Sequence, residues 1–336
     1  MPRSLPPLRF EPIFKENLWG GSRLPAFLRR PAPFAGEIGE AWVLSDVDGS
    51  PSIVADGPHA GKTLRELLAT DAAAILGDAP LINGRFPLLL KFIDARQELS
   101  VQVHPDDARA AAALPGANGK TEAWVILRTN PELSRVYAGF REGVTAADFI
   151  AALDTKTAPQ TLHSFTPEPG DCVFLEAGTV HAIGAELVVF EVQQTCDITY
   201  RLYDWDRVDV KTKQPRELHV DQGLACADFS RGPCPPTTPA RDGSRERLAG
   251  CRYFTLDRHV GTDRFPVGAT GECRVVVCVA GAGELDCGDT RTALAVGDVI
   301  LLPATAGPAV CQPEGGITLL ECGIPPVVGP VPDRPG

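Results

Sequence analysis

The sequence predicts a mainly β protein built from two β-sandwich units with a few short helices. Glycine (33) and proline (31) are plentiful among 336 residues, and helix-favouring runs are few. That balance suits short strands joined by turns. A weak internal repeat matches Gly170-Asp171-Cys172-Val173-Phe174-Leu175-Glu176-Ala177 to Gly297-Asp298-Val299-Ile300-Leu301-Leu302-Pro303-Ala304, 127 residues further on. Self-similarity of this kind points to two copies of one unit. The expected division is a first unit over residues 1–225 that carries the chemistry, a linker over 226–246 rich in Pro, Thr, Arg and Gly, and a second unit over 247–336.

Residues 8–20 and 37–45 read as strands around loops. Residues 61–77 read as a helix, because Leu64, Leu67, Leu68 and Ile75 keep helical spacing and Gly77 is a suitable stop. Residues 87–94 form a nearly continuous apolar run with one lysine, Lys91, as expected of a buried strand. Val101 and Val103 then alternate with Gln102 and His104, which puts the valines on one strand face and the amide and imidazole on the other. Residues 106–113 and 145–153 look like short helices, the second capped by Thr145. Glu122 opens an apolar strand, Ala123-Trp124-Val125-Ile126-Leu127. From Asp171 the pattern is strand, turn, strand: residues 172–175, 181–183 and 187–193. Beyond the linker come short strands with turns at Gly281-Ala282-Gly283 and Gly288-Asp289.

Composition bounds the function. Hydrophobic residues make up 44% and charged residues 22%, ordinary for a soluble globular chain. A net charge of −11 argues against a general nucleic-acid binder. An anionic small substrate would need a local cluster of Arg and Lys. No apolar run approaches the roughly 18 residues of a membrane span, and Met1-Pro2-Arg3-Ser4-Leu5-Pro6-Pro7 lacks the apolar core of a secretory signal. The ten cysteines include no C-x-x-C pair. They read as reduced, small apolar side chains of a cytoplasmic protein rather than a disulfide framework or thiolate metal site.

Gln102 and His104 at i and i+2 on one strand face form half of a coordination shell. Glu122 at a strand start and His181, after the turn containing Gly178, supply the other half. Taken singly each has an ordinary structural explanation. Together they make a four-point cage for a divalent cation. The second unit lacks a histidine beyond His259, and Pro308 stands five residues after Pro303 where His181 follows Glu176 in the first. It cannot rebuild the cage, so a supporting or shielding role is expected for it.

Gly170-Asp171, Glu176-Ala177-Gly178 and His181 resemble the second motif of the cupins, jelly-roll β-barrels with metal ligands inside. Glu176 departs from that motif, which has proline there; Pro303 supplies it in the other copy. More specifically, the chain resembles the type I mannose-6-phosphate isomerases in their short bacterial form. The resemblance rests on Glu16-Asn17-Leu18-Trp19-Gly20-Gly21, Gly39-Glu40-Ala41-Trp42, residues 99–107 around Gln102-Val103-His104-Pro105-Asp106-Asp107, Gly119-Lys120-Thr121-Glu122, Gly178-Thr179-Val180-His181-Ala182-Ile183-Gly184 and residues 191–205. It covers roughly residues 10–220, with a weaker match to about 323. It implies two cupin-type jelly-roll units and one Zn²⁺ per chain held by Gln102, His104, Glu122 and His181. It implies active-site roles for Lys120, Glu191 and Arg201, with Ser100 and Lys91 as lesser candidates for the sugar-phosphate pocket.

The implied reaction interconverts mannose 6-phosphate and fructose 6-phosphate through an enediol. It needs a base for the carbon-bound proton, stabilisation of an oxyanion and a grip on the phosphate. The implied partner is therefore a small phosphorylated sugar; no nucleic acid, membrane or second subunit is expected. Arg201 offers a planar donor fork for phosphate or enediolate oxygens, although an ion pair with Asp197 or Asp204 would account for it equally from the residues alone. Two other readings remain for this sequence: another metal-dependent cupin enzyme, such as a dioxygenase, and a sugar-sensing cupin without catalysis.

Overall fold

The computed structural model describes residues 4–209 and 211–326; the last ten residues of the expected second unit lie outside them. It is mainly β, as the composition predicts, with three large sheets in layers. The central layer is six-stranded, in the order Cys172–Leu175, Glu122–Arg128, Leu187–Gln194, Leu88–Ala95, Ile13–Gly21, Ile38–Leu44. A five-stranded sheet covers one of its faces, in the order Leu162–Phe165, Val136–Phe140, His181–Ile183, Val101–Val103, Tyr200–Tyr203. These two sheets share a core that includes Trp19, Ile93, Trp124, Ile126, Val136, Ile183 and Val189.

The opposite face of the central sheet carries Leu88, Leu90, Phe92, Val125, Phe190 and Val192. It packs with the helix Leu64–Leu76 and with Val275, Val277, Leu301 and Leu320 of a nine-stranded sheet formed mostly by the C-terminal part of the chain. Having both faces covered explains why residues 87–94 read as continuously apolar.

The local signals work as the side-chain chemistry requires. Thr63 caps the helix Leu64–Leu76 in a reciprocal box with Glu66, and Gly77 closes it at φ 64°. Thr145 and Asp148 make the same box for Ala146–Asp154, and Asp106 caps Asp107–Ala113. The internal repeat is visible in three dimensions. Gly170 and Gly297 both have φ near 90° (96° and 89°). Asp171 and Asp298 each accept a hydrogen bond, at 2.8 Å, from the backbone N–H three residues earlier. Each turn launches a strand, Cys172–Leu175 or Val299–Leu302.

Besides the two-residue pair Asp46–Val47 and Ser50–Pro51, three strands escape the hydrophobic pattern: Val136–Phe140, Leu162–Phe165 and Tyr200–Tyr203. All are short, and pairing with neighbours rather than periodicity defines them. Within the stretch that reads as a linker, Ala240–Asp242 pairs with Arg245–Gly250 as a hairpin. Leu8–Arg9 crosses over to pair with Val299–Leu302. Among the described residues no helix is long and apolar enough to cross a membrane.

Along the inner face of the central sheet the side chains change character. Ala95, Ile93 and Lys91 alternate down one strand; Leu187, Val189 and Glu191 down the next; Ile126, Trp124 and Glu122 down the third. One end of the sandwich interior is thus apolar and the other is charged. A separate cluster on the nine-stranded sheet is apolar throughout, made by Phe265, Val276, Cys278, Leu285, Ile300, Cys311 and Leu319.

Candidate active site

Strand register assembles the charged end. In the five-stranded sheet His181 lies opposite Gln102, and Gln102 lies opposite Arg201. Directly opposed residues share a face, so these three form one row; His104 follows Gln102 by two positions. In the central sheet Trp42, Lys91, Glu191 and Trp124 form a second row, and Glu122 lies opposite Gln193. Two turns bring the rows together. Gly178, at φ 89°, shapes the bend before His181. A Cβ on Gly119 would sit 2.6 Å from the Asp107 backbone nitrogen, a contact only glycine avoids, and Lys120 follows immediately.

The ligand atoms of His104, Glu122 and His181 lie within 4.8 Å of one another, and all three residues are buried. His104 Nδ1 is 2.9 Å from the Ile198 carbonyl oxygen and His181 Nδ1 is 2.8 Å from that of Thr179. A carbonyl can only accept, so each Nδ1 carries the proton and each Nε2 presents a lone pair. Those lone pairs face Glu122, His104 Nε2 at 3.7 Å and His181 Nε2 at 3.3 Å. Burial, with the Lys120 charge, holds the imidazole of His104 well below its ordinary range and takes that of His181 down to about 4. Both rings are neutral at pH 7, the state that ligates metals. The Gln102 amide nitrogen donates to His181 Nε2 at 3.3 Å, and Ser100 Oγ lies 3.4 Å from Gln102 Oε1. A half-turn of that amide would offer oxygen instead.

Among the described residues neither oxygen of Glu122 accepts a well-directed hydrogen bond, although Lys120 Nζ sits 2.9 Å from Oε2 and 3.1 Å from His104 Nε2. A buried carboxylate beside two imidazole lone pairs attracts a positive centre, and the donor set suits a divalent cation such as zinc. Burial and the nearby Glu191 charge push the Glu122 carboxyl up, as expected of an anion that lacks enough cationic company.

A second buried group adjoins this cluster. Glu191 Oε1 lies 3.2 Å from Lys91 Nζ and 3.5 Å from Lys120 Nζ. Burial alone would raise the Glu191 carboxyl, but the two ammonium groups outweigh it and hold the carboxyl low. Burial works against the charge of Lys120, and Glu122 and Glu191 outweigh it, so Lys120 stays protonated. Lys91 also stays protonated, between Glu191 and Glu40.

Gln102, His104, Glu122, His181, Lys120, Glu191, Lys91 and Ser100 thus come together. Arg201 shares the row of Gln102, but its Nη1 donates to the Glu217 carbonyl at 2.7 Å and its buried Nε has no hydrogen-bond partner among the described residues. Burial and Arg216 lower its guanidinium. Neither Asp197 nor Asp204 takes the Arg201 side chain; Asp204 is held by Arg207 and Arg216.

Two neighbours went unassigned in the sequence. Trp124 Nε1 donates to Glu191 Oε2 at 3.1 Å, and Glu40 Oε2 accepts the Trp42 indole at 2.6 Å. Alternation from Glu122 places Trp124 on the inner face, and Glu40 and Trp42 are two positions apart on one strand, so both signals were available; only the 3.9 Å approach of Glu40 to Lys91 needs cross-strand register.

Residues 8–141 match the family model for the catalytic domain of phosphomannose isomerase type I. The mannose-6-phosphate isomerase ManA of Bacillus subtilis is 32% identical over 311 residues, 90% of this chain and 94% of that protein. The mannose-6-phosphate isomerase of Streptococcus mutans is 30% identical over 302 residues, 88% of this chain and 93% of that protein. The crystal structure of the mannose 6-phosphate isomerase from Bacillus subtilis superposes with a TM-score of 0.84 at 29% identity, over 95% of this chain and 99% of that one. A structure from Archaeoglobus fulgidus, at 22% identity and TM-score 0.73 over 95% of this chain and 97% of that one, shares the fold.

Proposed function

The chain belongs to the type I phosphomannose isomerases, and from that membership we propose that it interconverts mannose 6-phosphate and fructose 6-phosphate, with one zinc ion held by Gln102, His104, Glu122 and His181. The carrying observation is the convergence of two imidazole lone pairs on the Glu122 carboxylate beside the buried Lys120–Glu191–Lys91 group. Zinc bound there would supply a Lewis acid for the sugar's carbonyl and hydroxyl oxygens.

The chain's own residues provide the rest. Glu191 is ionised and Lys120 protonated, so Glu191 Oε1 is the atom able to take the proton from carbon 2, and Lys120 Nζ is the atom able to donate one to a sugar oxygen. Lys91 keeps the Glu191 carboxylate charged, and Lys91 and Ser100 would help to hold the sugar phosphate. Arg201, with Nε unpartnered, would offer its fork to the phosphate or the enediolate. Residues 1–225 would carry this chemistry, and residues 247–336 would support and shield it, in a cytoplasmic monomer.

The test is a coupled isomerase assay on the purified chain, with elemental analysis, before and after chelation. One equivalent of zinc, activity lost with the chelator and activity regained on zinc addition are expected. Full turnover by metal-free protein would refute the zinc assignment.

A further inference from the structure

Glu191 is held by more than its lysines. Its two carboxylate oxygens have different company: Oε1 faces Lys91 and Lys120, whereas Oε2 accepts the Trp124 indole N–H at 3.1 Å. Strand register fixes the pairing, since Trp124 lies directly opposite Glu191. Trp124 is 1% exposed, so bulk solvent does not compete for the bond. Its ring also meets His181 edge-on, with centroids 5.2 Å apart and planes at 79°. One rigid side chain therefore touches the acid–base carboxylate on one edge and a ligand imidazole on another. An indole N–H donates only. It cannot take the proton that Glu191 accepts; what it can do is fix the rotation of the carboxylate and hence the direction of Oε1.

We propose that Trp124 is a positioning residue of the isomerisation, holding Glu191 Oε2 so that Oε1 points at the sugar between Lys91 and Lys120. The proposal rests on the assignment of Glu191 to proton transfer made above. Removing it should leave substrate capture intact and harm the chemical step, because a misdirected base costs turnover more than binding.

The experiment combines Trp124→Phe, Glu191→Gln and the double variant, assayed for kcat, KM and zinc content. Phenylalanine retains an aromatic edge for His181 and loses the N–H donor. A fall in kcat of up to about hundredfold is expected, the cost of misplacing a reacting group by about 1 Å. KM for mannose 6-phosphate should stay within about twofold, with zinc content unchanged. In the Glu191→Gln background the same substitution should have no further effect. An unchanged kcat for Trp124→Phe, or an equal fractional loss in both backgrounds, would overturn the positioning role. Wild-type turnover by Glu191→Gln would remove the role of Glu191 and this proposal with it, while leaving the isomerase reading intact. A spectroscopic arm needs neither activity nor a folded Trp124 variant. Of the four tryptophan indole N–H signals in the ¹⁵N-labelled chain, one should shift on Glu191→Gln; four unmoved signals would show that the contact is absent.

Discussion

Replacing Glu122 by glutamine retains the size of the side chain and removes the negative charge between two neutral imidazoles. In the metal-free protein the change should be mild, because burial and Glu191 already push that carboxyl toward its protonated form, which glutamine mimics. With metal the contrast should be large. Loss of a supporting contact to a ligand costs about 10–100-fold in affinity, so loss of a ligand charge should cost at least about 100-fold. At free zinc of about 100 times the wild-type Kd, binding stabilises the wild type by about 2.7 kcal/mol and such a variant by only about 0.4 kcal/mol. Unfolding entropy near 2.1 cal/mol/K per residue gives roughly 0.7 kcal/mol/K for 336 residues. Zinc should therefore raise the wild-type Tm by about 4 °C and the variant Tm by less than about 1 °C. Scanning calorimetry with and without zinc, beside a chelator-competition titration, measures both. A Glu122→Gln protein with the wild-type zinc shift and wild-type turnover would refute the ligand assignment.

Arg201→Lys keeps the charge and loses the planar fork; kcat should fall on the order of 100-fold if the contact forms in the transition state, and wild-type kinetics would return Arg201 to a purely structural role. His259, buried and stacked on Phe265 with ring centroids 5.6 Å apart, should cost about 0.5–3 kcal/mol of stability when changed to alanine. Turnover per folded molecule should be unchanged, and a large loss in the folded enzyme would implicate the second unit in chemistry. Acid should weaken the metal-free protein through His181, whose imidazole burial takes from 6.5 to about 4. Above pH 6.5 it is neutral in both folded and unfolded chains. Between pH 6.5 and 4 only the unfolded chain takes up the proton, so stability falls across that window by up to about 3 kcal/mol. An unfolding midpoint in urea that is the same at pH 7 and pH 5 would contradict this.

The sequence alone determined the elements whose signal is local. Thr63, Thr145 and Asp106 specify helix starts because each satisfies orphan backbone N–H groups of its own first turn. The duplicated Gly-Asp turn specifies two copies of one strand entry because only glycine readily takes its left-handed conformation. Alternation at Gln102 and His104 puts two donors on one face before any fold is known. The tertiary structure decided what depends on pairing across distant strands. Register put Trp124 against Glu191 and Arg201 in the row of Gln102, and no periodicity in either strand encodes its partner. The short strands Val136–Phe140 and Leu162–Phe165 exist through their neighbours. So do the ionisation states at the site. Lys120 and Glu191 are ordinary ionisable residues in the sequence, and only burial within about 3.5 Å of each other fixes one as a persistent cation and the other as a persistent anion.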